Sequence, residues 1–165
     1  MNPNKLTTKS QEALAAAQTA AVRHQHVEID GEHLLLALLE QENGVVPRLL
    51  RKAEVAVDAL TDAVRRELSR RPQVSGPGTE PGKVYVTQRL NRALVAAEDA
   101  ADKLKDEYVS VEHLFLALVD EGTGTAAGRL LHEFKVTRER VLQTLKDVRG
   151  NQRVRSADPE ATYEA

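Results

Sequence analysis

The chain has 165 residues, a formal net charge of -2 and an apolar content of 41%, with only 3% aromatic residues. That is enough for a core packed with Leu, Val and Ala, but it gives no basic field for nucleic acid or an anionic membrane, and the absence of cysteine excludes disulfides and thiolate or cysteine-metal chemistry. No apolar run approaches the roughly 18 residues of a membrane span, and the Met1-Asn2-Pro3-Asn4-Lys5 start lacks the apolar centre of a signal peptide, so the expectation is a soluble, cytoplasmic, all-helical protein.

The first helix is expected to begin near Leu6-Thr7-Thr8, with Thr7 or Thr8 as cap and Thr8 with Gln11 at capping-box spacing. Leu14, Ala17 and Ala21 share one face, and the helix fades at His24-Gln25-His26. Asp30 reads as the cap of a second helix, with Glu32 complementing the positive end of its dipole. Leu34 to Leu39 is apolar nearly all round, which predicts a buried central helix. Glu42-Asn43-Gly44 ends it. A short third helix runs from Val45 to Ala53, with Pro47 tolerable in its first turn. A fourth runs from about Asp58 to Arg70 with Leu60, Val64 and Leu68 on one stripe.

Between Arg71 and Lys83, Pro72, Pro77, Pro81, Gly76, Gly78 and Gly82 preclude regular structure and mark a linker. Thr87 then caps a helix to about Lys105, with Leu90, Leu94, Ala97 and Ala101 inward. Ser110 stands ahead of a helix from Glu112 to Asp120, Gly122 and Gly124 form a turn, Thr125 to Phe134 is a short helix, and Thr137 caps the last one with Val141, Leu145 and Val148 on its stripe. After Gly150 the chain turns polar, and Asp158-Pro159-Glu160 announces another helix. That helix has under two turns before Ala165, which suggests a piece of a longer protein.

The second half repeats the first. Glu32-His33-Leu34-Leu35-Leu36-Ala37-Leu38 returns as Glu112-His113-Leu114-Phe115-Leu116-Ala117-Leu118, an offset of 80 residues. The same offset pairs Thr7, Ala13, Leu14 and Ala17 with Thr87, Ala93, Leu94 and Ala97, and one inserted residue later Arg48-Leu49-Leu50 meets Arg129-Leu130-Leu131. This is a tandem duplication of a small helical unit. The expected architecture is all-α, with two pseudo-twofold-related four-helix repeats: 4–71, a Pro/Gly-rich linker over 72–84, 85–149, and a polar connection over 150–165.

No catalytic set emerges. There is no phosphate loop, GxGxxG or HExxH pattern. His24 and His26 read as solvated histidines at a helix end, without a third metal ligand. His33 and His113 read as packing or capping residues in the first turn of a buried helix. Glu32 and Glu112 serve the helix dipole, and an anion-lined helix start of this kind can also recognise a guanidinium. Two homologous halves leave a groove at their junction, and apolar grooves bind peptides and helices.

With Leu6-Thr7, Gln11-Glu12-Ala13-Leu14, the doubled Glu-His-Leu run and Tyr108-Val109-Ser110-Val111-Glu112-His113-Leu114 in view, the chain resembles the Clp N-terminal domain of Clp/Hsp100 AAA+ unfoldases over residues 4 to about 149. Leu68-Ser69-Arg70-Arg71-Pro72-Gln73-Val74 and the segment from Val148 to Tyr163 resemble the ClpB disaggregase branch. The resemblance implies eight helices in two halves and a module that hydrolyses nothing itself. It implies a hexameric chaperone whose ATP and Mg would be used in ATPase modules absent from this chain, acting with the Hsp70 system on unfolded or aggregated proteins. The isolated module is expected to be monomeric and to bind neither nucleic acid nor membrane. The family's polar substrate contacts would fall on Thr7, Asp106 and Glu112, with Leu90 and Leu94 lining an apolar groove. His113 makes the Glu-His pair look like the ClpC type instead. There the N-domain docks adaptors, and Glu32 and Glu112 would read phosphorylated arginine.

Overall fold

The structure, a computed structural model, describes residues 3–74, 83–150 and 152–160. These form eight α-helices: α1 Thr8–Arg23, α2 Gly31–Glu40, α3 Val45–Lys52, α4 Val57–Arg70, α5 Gln88–Lys103, α6 Val111–Asp120, α7 Ala126–Glu133 and α8 Arg138–Arg149. Two-residue strands β1 (Glu28–Ile29) and β2 (Tyr85–Val86) pair in parallel, Ile29 opposite Val86. An isolated parallel bridge joins Leu6 to Val109. Ile29 and Val109 are related by the repeat offset, and so are Leu6 and Val86, so each bridge is the image of the other. The segment before the first helix of each half thus pairs with the segment before the central helix of the other half. The central part of the 72–84 linker, 75–82, lies outside the described residues.

Every residue of α2 from Gly31 to Leu39 and of α6 from Val111 to Val119 is buried. This is the burial that helices apolar all round require. Each packs on the Ala-rich face of its own first helix, Ala13, Ala17 and Ala21 in α1 and Ala93, Ala97 and Ala101 in α5. Alanine there lets the backbones approach. The stripe Leu60, Val64 and Leu68 on α4 is fully buried.

Thr7, not Thr8, caps α1: its hydroxyl oxygen accepts from Ser10 N–H at 3.1 Å. Gln11 turns its amide to the Leu6 carbonyl at 3.2 Å, so the expected Thr8–Gln11 box does not form. Thr87 repeats this cap on α5 through Leu90 N–H.

Four helices end in the same way without glycine. Gln25, Glu54, Lys105 and Lys135 all have φ between 57° and 63°. After α1, Gln25 N–H donates to Val22 and His26 N–H to Ala21; after α5, Lys105 N–H donates to Asp102 and Asp106 N–H to Ala101. These are Schellman closures. They turn the following residue, His26 in one half and Asp106 in the other, back towards the central helix.

Candidate functional site

Asp106 is delivered to the start of α6 by that closure. The Ser110 N–H donates to His113 Nδ1 at 2.8 Å, so the proton of His113 sits on Nε2 and is donated to Asp106 Oδ2 at 2.8 Å. Asp106 Oδ1 accepts from Arg149 at 2.6 Å and from Val154 N–H at 2.9 Å. Burial alone would raise its pKa, but the hydrogen bonds from His113, Arg149 and Val154 outweigh it and hold the carboxyl at about 2. Asp106 is therefore a committed anion at the hub of α6, α8 and the C-terminal segment.

Glu112 is different. It is 1% exposed, and neither carboxylate oxygen has a hydrogen-bond partner. Its near cation is Arg149, with Nε at 3.7 Å. Thr7 is fully buried, and its hydroxyl donates to Glu160 Oε2 at 2.7 Å. Thr7, Asp106 and Glu112 are thus gathered around the start of α6, and the chain's own residues 152–160 cover them. Thr8 N–H donates to the Ala157 carbonyl and Glu107 N–H to the Val154 carbonyl, both at 2.7 Å. Val154 is fully buried and Glu160 is 4% exposed. The helix expected from Asp158 is not present up to Glu160, and 161–165 lie outside the described residues. A cavity of about 280 Å³ flanks the cover, lined by Lys5, Glu98, Asp102, Asp106, Glu107 and Tyr108 among others.

The first half builds its counterpart with other chemistry. Asp30 N–H donates to His33 Nδ1 at 2.9 Å, which puts the His33 proton on Nε2, 2.9 Å from His26 Nδ1. His26, expected to be solvated, is 5% exposed and takes the place of Asp106, while His24 stacks on it with ring centroids 5.3 Å apart. Glu32 does find a guanidinium: Arg71 donates to it at 2.5 Å and also reaches Asp30 and Glu28 at 3.4 Å. Arg89 ion-pairs with Asp30 at 2.5 Å. Glu121, from the end of α6, completes the cluster. Burial first, then the charges of Asp30 and Glu32, push its pKa to about 7.

The two apolar candidates separate. Leu90 is 2% exposed and belongs to the core, because the Thr87 cap turns it inward; Leu94 is half-buried at the core's edge. An open groove of about 330 Å³ lies elsewhere, between α1 and α2, with Ala16, Ala20, Leu36 and Ala37 as its apolar walls. Among the described residues, no group of three or more His, Asp or Glu is placed to hold a metal, and no helix is long and apolar enough to cross a membrane.

Sequence reasoning missed Arg71, Arg149 and Glu160. All three come from polar stretches outside the repeat signal. His26 and Asp106 share one repeat position, which was the available clue to an inward-facing site.

The family pattern described as the Clp repeat (R) N-terminal domain matches residues 5–134. The "Chaperone protein ClpB" of Nitratidesulfovibrio vulgaris is 55% identical over all 165 residues, and that of Bacillus anthracis 46%. The chain spans 19% of the length of each of these relatives. The solved Hsp104 N-terminal domain from Candida albicans superposes with a TM-score of 0.80 at 20% identity, covering 94% of this chain and 99% of that one. At that identity the likeness speaks for the fold.

Proposed function

This chain belongs to the Clp N-terminal domain family, and from that premise we propose that it recruits unfolded or aggregated polypeptide to a ClpB-type, ATP-driven disaggregase. The carrying observation is the cleft at the start of α6. Its rims offer Thr8 N–H and Glu107 N–H to main-chain carbonyls, here Ala157 and Val154 of the chain's own C-terminal segment, which bends at Ser156 and Ala157. Main-chain donors read any extended polypeptide regardless of its sequence, which is what a recruiter of unfolded protein needs. Thr7, Asp106 and Glu112 surround this seat as its polar contacts, and Leu94 and the α1–α2 groove supply apolar surface elsewhere on the domain.

The reading extends to the whole protein. The domain would be presented several-fold by a hexamer in the cytoplasm, so that weak single contacts sum to useful avidity. The ATP and Mg would be used by ATPase modules outside this chain, in cooperation with an Hsp70 system. A second reading keeps the domain type but changes the ligand. In a ClpC- or ClpA-type module, Glu32 and Glu112 would read phosphoarginine or the domain would dock adaptors. One observation favours guanidinium chemistry here, the Arg71–Glu32 pair at 2.5 Å. The same pair also weighs against it, because an incoming guanidinium must displace Arg71.

Fluorescence anisotropy with labelled, permanently unfolded α-casein tests the proposal, with free phosphoarginine as competitor. Saturable casein binding that phosphoarginine leaves unchanged supports recruitment of unfolded chains. Competition by phosphoarginine would move the assignment to the second reading.

A further inference from the structure

In the first half, the capping carboxylate of Asp30 accepts from Gly31 N–H at 2.9 Å and from the Thr87 hydroxyl at 3.0 Å. The repeat-related residues in the second half are Ser110, Val111 and Thr7. Serine brings no carboxylate. The place is filled from the C-terminal segment: Glu160 Oε2 accepts from the Thr7 hydroxyl at 2.7 Å and from Val111 N–H at 3.4 Å. The same two donors that hold a permanent carboxylate in one half hold, in the other, a carboxylate supplied by a residue 49 positions further along the chain.

This second seat is not an easy one for a charge. Glu160 Oε1 and both oxygens of Glu112 are buried without hydrogen-bond partners. Burial first, and the charge of Glu112 in addition, raise the pKa of Glu160 despite the hydrogen bond from Thr7. The rest of the strap is held by Ala157 and Val154 carbonyls, by Val154 N–H on Asp106, by the Arg153 guanidinium on the Leu104 carbonyl at 2.6 Å, and by the buried Val154 and Pro159 side chains. Apart from the side chains of Arg153, Val154, Pro159 and Glu160, these are main-chain contacts that another peptide can make.

We propose that residues 152–160 are a displaceable internal ligand. They close the second-half cleft, and when they leave, the cleft takes a substrate segment that follows the same bent course, with an acidic side chain six residues after an aliphatic one. The incoming carboxylate then takes the place of Glu160 between the Thr7 hydroxyl and Val111 N–H. The inference rests on the reading of the cleft as a polypeptide seat. An incoming acid meets the same Glu112, so the exchange is balanced in chemistry and decided by concentration. The tail has the advantage of being tethered, an effective concentration of order millimolar for a short link. Whatever holds the tail elsewhere therefore opens the site.

Two substitutions in the full chain act in opposite directions. Glu160→Ala removes the carboxylate and loosens the strap. Glu160→Gln keeps an acceptor for Thr7 and Val111 and removes the repulsion from Glu112, so it tightens the strap. Amide hydrogen exchange at Thr8 and Glu107 reads the strap directly. A fluorescein-labelled peptide of residues 152–160 reads the vacated seat, and melting temperature confirms folding. The expected result is exchange at least tenfold faster in Glu160→Ala with peptide binding at least tenfold tighter, and slower exchange with weaker peptide binding in Glu160→Gln. Unchanged exchange in both variants overturns the proposal and makes the strap a fixed part of the fold. Faster exchange without any gain in peptide binding also overturns it. If α-casein still binds in that case, recruitment stands and uses another surface.

Discussion

His33 Nε2 lies 2.9 Å from His26 Nδ1 in the first half, where the second half sets His113 Nε2 2.8 Å from Asp106. One half thus orients its central-helix histidine with a neutral ring, the other with a carboxylate. Burial, and then the charge of Arg71, lower the His33 pKa to about 4. A histidine kept neutral in the fold binds its proton only on unfolding. Stability is therefore full above the unfolded pKa of 6.5 and falls as pH drops from 6.5 towards 4, by up to about 3 kcal/mol. His33→Gln keeps the N3 acceptor for Asp30 N–H and removes the titration. Urea unfolding across this range should show a flatter pH dependence in that variant. An unaltered slope would place the titration elsewhere.

Glu121 works in the opposite sense. Its carboxyl is raised from 4.5 to about 7 by burial and by Asp30 and Glu32, so the folded state holds a proton that the unfolded chain releases. Its contribution declines as pH rises through that window. Glu121→Gln should stabilise the domain at pH 8 by about 1–2 kcal/mol, a figure reduced for solvent screening of a half-buried group. At pH 5 it should change little. Equal effects at both pH values would deny the raised pKa.

Arg71 neutralises two buried acids, Asp30 and Glu32, while itself only 21% exposed. Arg71→Ala leaves buried Glu32 without its guanidinium, while Asp30 keeps Arg89, and should cost about 2–4 kcal/mol. Arg129→Ala removes surface pairs to Glu67 and Glu133 and should cost under about 1 kcal/mol. Chemical denaturation of the two variants side by side checks the contrast.

Leu116 is 1% exposed in the middle of α6. Leu116→Ala should destabilise by roughly 2–5 kcal/mol, read from the denaturation midpoint. Glu112 accepts no hydrogen bond, and its ion pair with Arg149 is long at 3.7 Å, so Glu112→Gln should change the melting temperature little. It also relieves the repulsion on Glu160, and α-casein recruitment should weaken. A large drop in melting temperature would instead make Glu112 a structural capping residue.

The repeat was legible because α2 and α6 carry their signal in local sequence: an acid-histidine start followed by uninterrupted aliphatics. The caps Thr7, Asp30 and Thr87 were legible for the same reason. The ends of α1, α3, α5 and α7 were not. Gln25, Glu54, Lys105 and Lys135 adopt positive φ, and nothing short of glycine announces that in a sequence. His26 reads as solvated in the sequence, and the Schellman turn that buries it depends on those unmarked residues. Leu90 reads from the sequence both as inward on its helix and as lining a groove; at 2% exposed it belongs to the core. Arg71, Arg149 and Glu160 lie in polar stretches whose partners are 39, 43 and 153 residues away, a distance over which local pattern carries no information.

The most direct test of the central claim is an NMR shift titration of the domain with unfolded α-casein. Shifts should cluster at Thr7, Thr8, Glu107 and Val111, together with signals of the 152–160 strap moving as it is displaced. Shifts confined to the α1–α2 groove around Leu36 and Ala37, with the strap unmoved, would contradict it.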